Sequence, residues 1–223
     1  MIENIKSHLK NYFENESRVN PHGTPDGETG YPERNINWMK ENLIPRIKSI
    51  VTDPLSKNSL DVGCGHGYFT RELSDIFGKS YGIDLSENRI NYAKKYENEV
   101  LKFVQSDLTE PFSEKFPIKF DFMFTNAVLP HIPLEFKSNV FKNLAEIANP
   151  NCLFVIYDGM IDNDGKHKHD DNVQDSFDAW SPEQVIRVVF ISEQWIRNNA
   201  TDWEIVSINN VGHATEEIIL KRK

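Results

Sequence analysis

The chain has 223 residues, 39% hydrophobic and 26% charged, with 25 Lys and Arg against 34 Asp and Glu and a formal net charge of −9. That make-up predicts a soluble globular protein able to bury a core without disulfide staples, and its acidity speaks against a nucleic acid as partner. The two cysteines, Cys64 and Cys152, lie in apolar runs and predict a reducing, cytoplasmic compartment; the first residues lack the basic and apolar regions of a secretion signal, and no apolar run approaches the ~20 residues of a membrane span.

Three zones follow in chain order. Residues 1–57 read as an N-terminal helical appendage. Ile2, Ile5, Leu9, Tyr12 and Phe13 have the spacing of one helix face. Asn20 to Pro32 holds three Pro and three Gly among thirteen residues, a density no regular element survives. Pro32 suits the first position of a helix running to about Asn42, and Pro45 is expected to interrupt it and start another turn or two, to about Val51.

Between 58 and 158, apolar runs alternate with helical patterns. Strands are predicted at Asn58–Val62, Ser80–Ile83, Val100–Val104, Phe120–Phe124 and Cys152–Tyr157, and helices at Tyr68–Phe77, Glu87–Tyr96 and Leu134–Ala148. The alternation argues for a doubly wound, mostly parallel α/β sheet covered on both faces. From 159 onward, a polar stretch at Ile161–Asp175 reads as solvated loop. A helix is predicted around Ser192–Asn199 with Ser192 as N-cap. The strands Trp203–Ile208 and Glu216–Lys221 are joined too briefly for a parallel crossover and so must be antiparallel.

The strongest motif is Leu60-Asp61-Val62-Gly63-Cys64-Gly65-His66-Gly67-Tyr68-Phe69, a strand running through a glycine turn into a helix. Glycines allow close approach of backbone to a ligand, and a helix N-terminus offers free N–H groups to an anionic group. The dinucleotide fingerprint would place its third glycine at position 68, which is Tyr68. Asp61 would also repel a pyrophosphate but attract an ammonium. The implied ligand therefore carries a cation and an anion together, as the amino-acid end of S-adenosylmethionine does. Asp84 ends the second strand, where a carboxylate can accept from both ribose hydroxyls. Asp107 follows the third, within reach of an adenine amino group. Either acid could instead be a helix N-cap.

These residues resemble the class I, seven-stranded S-adenosylmethionine-dependent methyltransferases, over roughly 58–158. The resemblance implies a seven-stranded sheet with an antiparallel last strand. It assigns the methionine end of the cofactor to Asp61, Gly63, Gly65 and Gly67, with Cys64 as a small filler in the same loop. The ribose falls to Asp84 beside Leu85, and the base to Asp107 beside Leu108. The run Phe120 to Ile132 corresponds to the family's fourth strand and polar loop, bringing Asn126 to the cofactor. Asn126 does not continue into the N/D-P-P-Y pattern of base amino-methylases.

For the acceptor, His131 is the candidate base, because it follows the fourth strand and histidine titrates near neutrality. Asp158, ending the fifth strand, is the second candidate. Tyr12, Tyr31 and Trp38 are candidate substrate contacts if the appendage forms a lid. His167, His169 and the acids around them match no specific metal spacing, so no metal is expected. The function expected is methyl transfer to an O or N atom of a small molecule, with a sugar- or nucleotide-linked acceptor as one option. The alternatives are a catalytically silent cofactor-binding or scaffold protein on the same fold and a nicotinamide-dependent oxidoreductase.

Overall fold

The computed structural model describes residues 7, 10, 11, 14, 37–161, 189–212 and 215–223. The predicted Pro/Gly-rich turn at 20–32, with Tyr31, lies outside the described residues. So do Tyr12 and nearly all of the polar stretch at 161–175. Residues 7, 10, 11 and 14 are helical, as the amphipathic spacing near the N-terminus predicts.

The seven strands are β1 (Asn58–Val62), β2 (Lys79–Asp84), β3 (Leu101–Gln105), β4 (Phe120–Asn126), β5 (Ala148–Asp158), β6 (Trp203–Gly212) and β7 (Thr215–Arg222). Their order in the sheet is β3-β2-β1-β4-β5-β7-β6. Two compact units divide the chain, residues 1–107 and 108–223.

In the first unit, β1, β2 and β3 are parallel neighbours, with Val62 opposite Ile83 and Ile83 opposite Val104. After its first residue β1 is buried without alternation, as a strand covered on both faces must be. Helices α2 (Tyr68–Ser74) and α3 (Glu87–Ala93) follow β1 and β2. Ahead of β1 lies α1 (Ile44–Ile50), which carries Pro45 in its first turn. The short helix expected to start at Pro45 and run to about Val51 is present, and the expected interruption takes the form of a π turn before it. A π-helical turn, Met39–Leu43, precedes α1, and the Ile44 amide donates to Met39 O. The widened turn seats Pro45 where a missing N–H costs nothing.

In the second unit, β4 and β5 are parallel, and β7 runs antiparallel to both β5 and β6. The short connection between the last two strands makes them a hairpin, as its length requires. Helix α4 (Leu134–Glu146) packs Phe141 against Phe154 of β5, and Phe154 in turn meets Trp203, with ring centroids 6.1 and 5.6 Å apart. The buried Trp203 indole N–H donates to Phe141 O at 2.9 Å, which meets the need of a polar group in an apolar core. Helix α5 (Glu193–Asn199) starts at Ser192, whose hydroxyl accepts from the Trp195 amide. The predicted N-cap is thus formed.

Candidate cofactor loop and acceptor-side groups

The glycine loop begins where β1 leaves the sheet. The amides of Gly63 and Cys64 both donate to Ile83 O, at 2.8 and 3.0 Å. Gly67 N then closes a turn onto Cys64 O at 2.9 Å, and Gly67 stands at the start of α2. Gly63, Gly65 and Gly67 all have positive φ, at 77°, 53° and 77°, a conformation L side chains resist.

Gly65 and Gly67 serve different purposes. A Cβ on Gly67 would lie 2.5 Å from Phe103 Cε1, so this glycine is required by packing. A Cβ on Gly65 would meet nothing nearer than Arg89 Nη1 at 4.0 Å. Gly65, unlike Gly67, therefore leaves open space for a ligand. Cys64 is buried, and its Sγ takes the room that a side chain at Gly82 would need, which supports the reading as filler.

Asp84, buried at the end of β2, braces this loop. Its Oδ2 accepts from Gly65 N at 2.9 Å and its Oδ1 from Ser86 N at 2.8 Å. Each oxygen keeps a second lone pair for a ribose hydroxyl. Ser86, not Asp84, caps α3, because its hydroxyl accepts from Arg89 N at 3.2 Å. Asp61 is buried under the loop, and its Oδ2 accepts from the Thr70 hydroxyl at 2.6 Å. Burial pushes its carboxyl up to about 7, against the bond from Thr70 and with the Asp84 charge adding to the rise. A ligand ammonium beside it would reverse that shift. Leu85 O accepts from Gln105 Nε2 at 3.0 Å, which ties the ends of β2 and β3 together. Asp107 is half-buried two residues past β3. Open space at Gly65, spare lone pairs on Asp84 and an ammonium-matched Asp61 fit the cofactor that the motif implies.

In the second unit, the carbonyl of the buried Leu108 accepts from Asn143 Nδ2 at 3.0 Å. Asn126 is the last residue of β4, opposite Tyr157, and Ala127 after it has φ 54°. His131 closes the 3-10 turn Leu129–His131 and is half-buried. Asp158 ends β5 and is buried, and its two oxygens form no well-aligned hydrogen bond. Burial raises its carboxyl to about 8, opposed by Lys137 and the nearby amides of Ala127 and Leu129. Trp38 is 40% exposed beside the π turn.

Sequence reading missed Lys137, which is fully buried on α4. It donates to the carbonyls of Leu129 and Val189 and lines a small cavity with Asp158, Leu129, Pro130 and Ile191. Burial lowers its ammonium to about 7, with Asp158 acting the other way. The signal was present: 137 falls three after Leu134 and four before Phe141, on the apolar stripe of an amphipathic helix. Among the described residues, no cluster of His, Cys, Asp and Glu could hold a metal, and no helix is long and apolar enough to cross a membrane.

Strand order, glycine loop and following acid together are those of the class I methyltransferase fold. Residues 60–156 match the family model described as a methyltransferase domain. Among curated proteins, phosphoethanolamine N-methyltransferase of Plasmodium falciparum is 27% identical over 165 residues, 71% of this chain and 59% of that protein. Ubiquinone biosynthesis O-methyltransferase of Pseudoalteromonas translucida is 27% identical over 130 residues, 57% of this chain and 52% of that one. The chain thus spans less than two thirds of the length of these relatives. Among solved structures, magnesium protoporphyrin IX methyltransferase from Synechocystis PCC 6803 with bound S-adenosylhomocysteine superposes with a TM-score of 0.67 at 17% identity, covering 98% of this chain and all of that one. The likeness at that identity is one of fold.

Proposed function

We propose that the chain binds S-adenosylmethionine and transfers its methyl group to an oxygen or nitrogen of a small molecule. The observation that carries this reading is the Gly65–Asp84 hydrogen bond. It sets a ribose-type acceptor beside a loop glycine with open space over it. The two curated relatives are named for N- and O-methylation respectively, which supports the acceptor class and leaves the atom open. A sugar- or nucleotide-linked acceptor is the finer form of the proposal. The nicotinamide alternative has no support in the loop, where Tyr68 stands at the third fingerprint position.

When bound, the cofactor supplies an electrophilic methyl on a sulfonium; the chain supplies binding and orientation. Asp61 neutralises the cofactor ammonium, Asp84 holds the ribose, and Asp107, Leu108 and Asn126 contribute to the remaining contacts. On the acceptor side, His131 takes the proton of a hydroxyl or orients an amine. Asp158, uncharged near neutrality, donates a hydrogen bond to the acceptor. Residues 1–57, with Tyr12, Tyr31 and Trp38, cover the acceptor. Methyl transfer gains from such holding, since much of the rate of an in-line displacement comes from positioning.

The test is incubation of the protein with methyl-labelled S-adenosylmethionine and a metabolite extract, followed by mass spectrometry. A labelled O- or N-methyl product is expected, and it should disappear with Asp84→Ala. Binding of S-adenosylhomocysteine with no labelled product from any extract would overturn catalysis and favour a silent cofactor-binding protein.

A further inference from the structure

Glu14 belongs to the N-terminal helical residues, yet its partners lie more than seventy positions away. Its Oε1 accepts from the Glu87 amide at 2.6 Å, and its Oε2 from the Asn88 amide at 3.1 Å and the Ser86 hydroxyl at 3.2 Å. Its main-chain carbonyl accepts from Asn88 Nδ2 at 3.2 Å. Burial works against the charge, but the bonds from Glu87, Asn88 and Ser86 outweigh it and hold the carboxyl below its ordinary range.

The first amides of a helix have no partner within it. In α3 all three of the first amides are accounted for. Glu87 and Asn88 donate to Glu14, and Arg89 donates to the Ser86 hydroxyl. Ser86 alone caps this short helix, and water could serve the two amides before Arg89. A carboxylate brought from the far end of the sequence is more than helix formation requires. Its position gives it a second consequence. Ser86 N donates to Asp84 Oδ1, and Asp84 Oδ2 accepts from Gly65 N. A continuous run of hydrogen bonds therefore passes from Glu14 through Ser86 to Asp84 and on to the glycine loop, all within the first unit.

We propose that Glu14 is a positioning residue for cofactor binding: by fixing Ser86, Glu87 and Asn88 it sets the Asp84 carboxylate, and through it the Gly65 amide, in the geometry that receives the cofactor. The N-terminal segment then contributes to the cofactor site through a side chain that touches no ligand. This inference rests on the reading of the loop as an S-adenosylmethionine site.

The experiment measures binding of S-adenosylhomocysteine to the full chain by calorimetry and stopped-flow, with the Gly65 amide followed by NMR. Glu14→Ala is compared with Glu14→Gln, which keeps one acceptor oxygen. Glu72→Gln, which breaks an exposed ion pair with Lys40, is the control. Glu14→Ala should weaken binding by about 5- to 30-fold, mostly through faster dissociation, and should shift the Gly65 amide resonance of the ligand-free protein. Glu14→Gln should fall between it and wild type, and Glu72→Gln should bind as wild type does. Should Glu14→Ala fail to fold, Glu14→Gln decides by the same two readouts. Unchanged affinity and an unmoved Gly65 amide, with faster amide exchange confined to Glu87 and Asn88, would overturn the inference and leave Glu14 as a helix cap. No binding of S-adenosylhomocysteine by wild type would overturn the cofactor reading together with it.

Discussion

Replacing Gly67 by Ala would put a methyl group 2.5 Å from Phe103 Cε1, 2.6 Å from its Cζ and 3.1 Å from Ala93 Cβ. The Phe103 ring is 3% exposed and packed with Cys64, Ile90, Ala93 and Leu101, so it has nowhere to retreat. The backbone at φ 77° adds its own cost. A non-glycine residue there costs about 1–2 kcal/mol, and overpacking a core costs about 1–3 kcal/mol more. Gly67→Ala should therefore lose about 2–5 kcal/mol, and for a domain of this size each kcal/mol lowers Tm by about 2–4 °C. Gly65→Ala has the backbone cost at φ 53° but no clash, so it should lose only about 1–2 kcal/mol. Its new methyl would stand in the ligand's space, so its main loss should be in S-adenosylhomocysteine affinity. Denaturant melts and calorimetry on both variants make the comparison. If Gly65→Ala binds as wild type does, or Gly67→Ala unfolds no earlier than Gly65→Ala, the division of labour between the two glycines is wrong.

Two further predictions concern buried carboxyls. Asp61 is held up at about 7 by burial, and a cofactor ammonium should lower it again. Just below pH 7, binding of S-adenosylhomocysteine should release a proton, read from calorimetry in buffers of different ionisation enthalpy; Asp61→Asn should abolish the release, and proton uptake by wild type would refute the pairing. Asp158 has a folded value of about 8 above an ordinary 3.8, so the folded state holds the proton longer and stability falls as pH rises between those values. Lys137, lowered from 10.5 to about 7, gives the opposite slope, with stability rising from about 7 to 10.5. From pH 5 to 7, Asp158→Asn should lose less stability than wild type by denaturant midpoint; equal losses would mean that Asp158 is already ionised in the folded protein.

The strands and helices of 58–158 were legible because short continuous apolar runs alternate there with helix-spaced ones. Ser192 was legible as a cap because its role is local. The chemistry of single side chains was less so. Asp84 was read as a ligand for ribose, but its bracing of Gly65 joins two loops nineteen residues apart and has no local signature. Thr70 under Asp61 is a similar case. Pro45 was legible as the start of a short helix, but the π turn before it leaves no mark in residue composition. Lys137 sat on the apolar stripe of its helix, yet its buried acceptors, Leu129 O and Val189 O, come from outside that helix. Glu14 reaches α3 only once the chain has folded back on itself.

The placement of β7 has a bearing on how the protein is made. In space β7 lies between β5 and β6, with Tyr157 donating to Glu217 at 2.7 Å, although these residues are 60 apart in sequence. As the chain leaves the ribosome, β5 emerges first and must keep one edge bare until Thr215–Arg222 arrives. Val155 and Ile156, fully buried in the finished sheet, lie along that waiting edge. An unpaired apolar edge is a template for strands of other chains. The danger during synthesis therefore lasts from the emergence of Asp158 until Thr215 follows it, the interval in which the sheet is still open on one side.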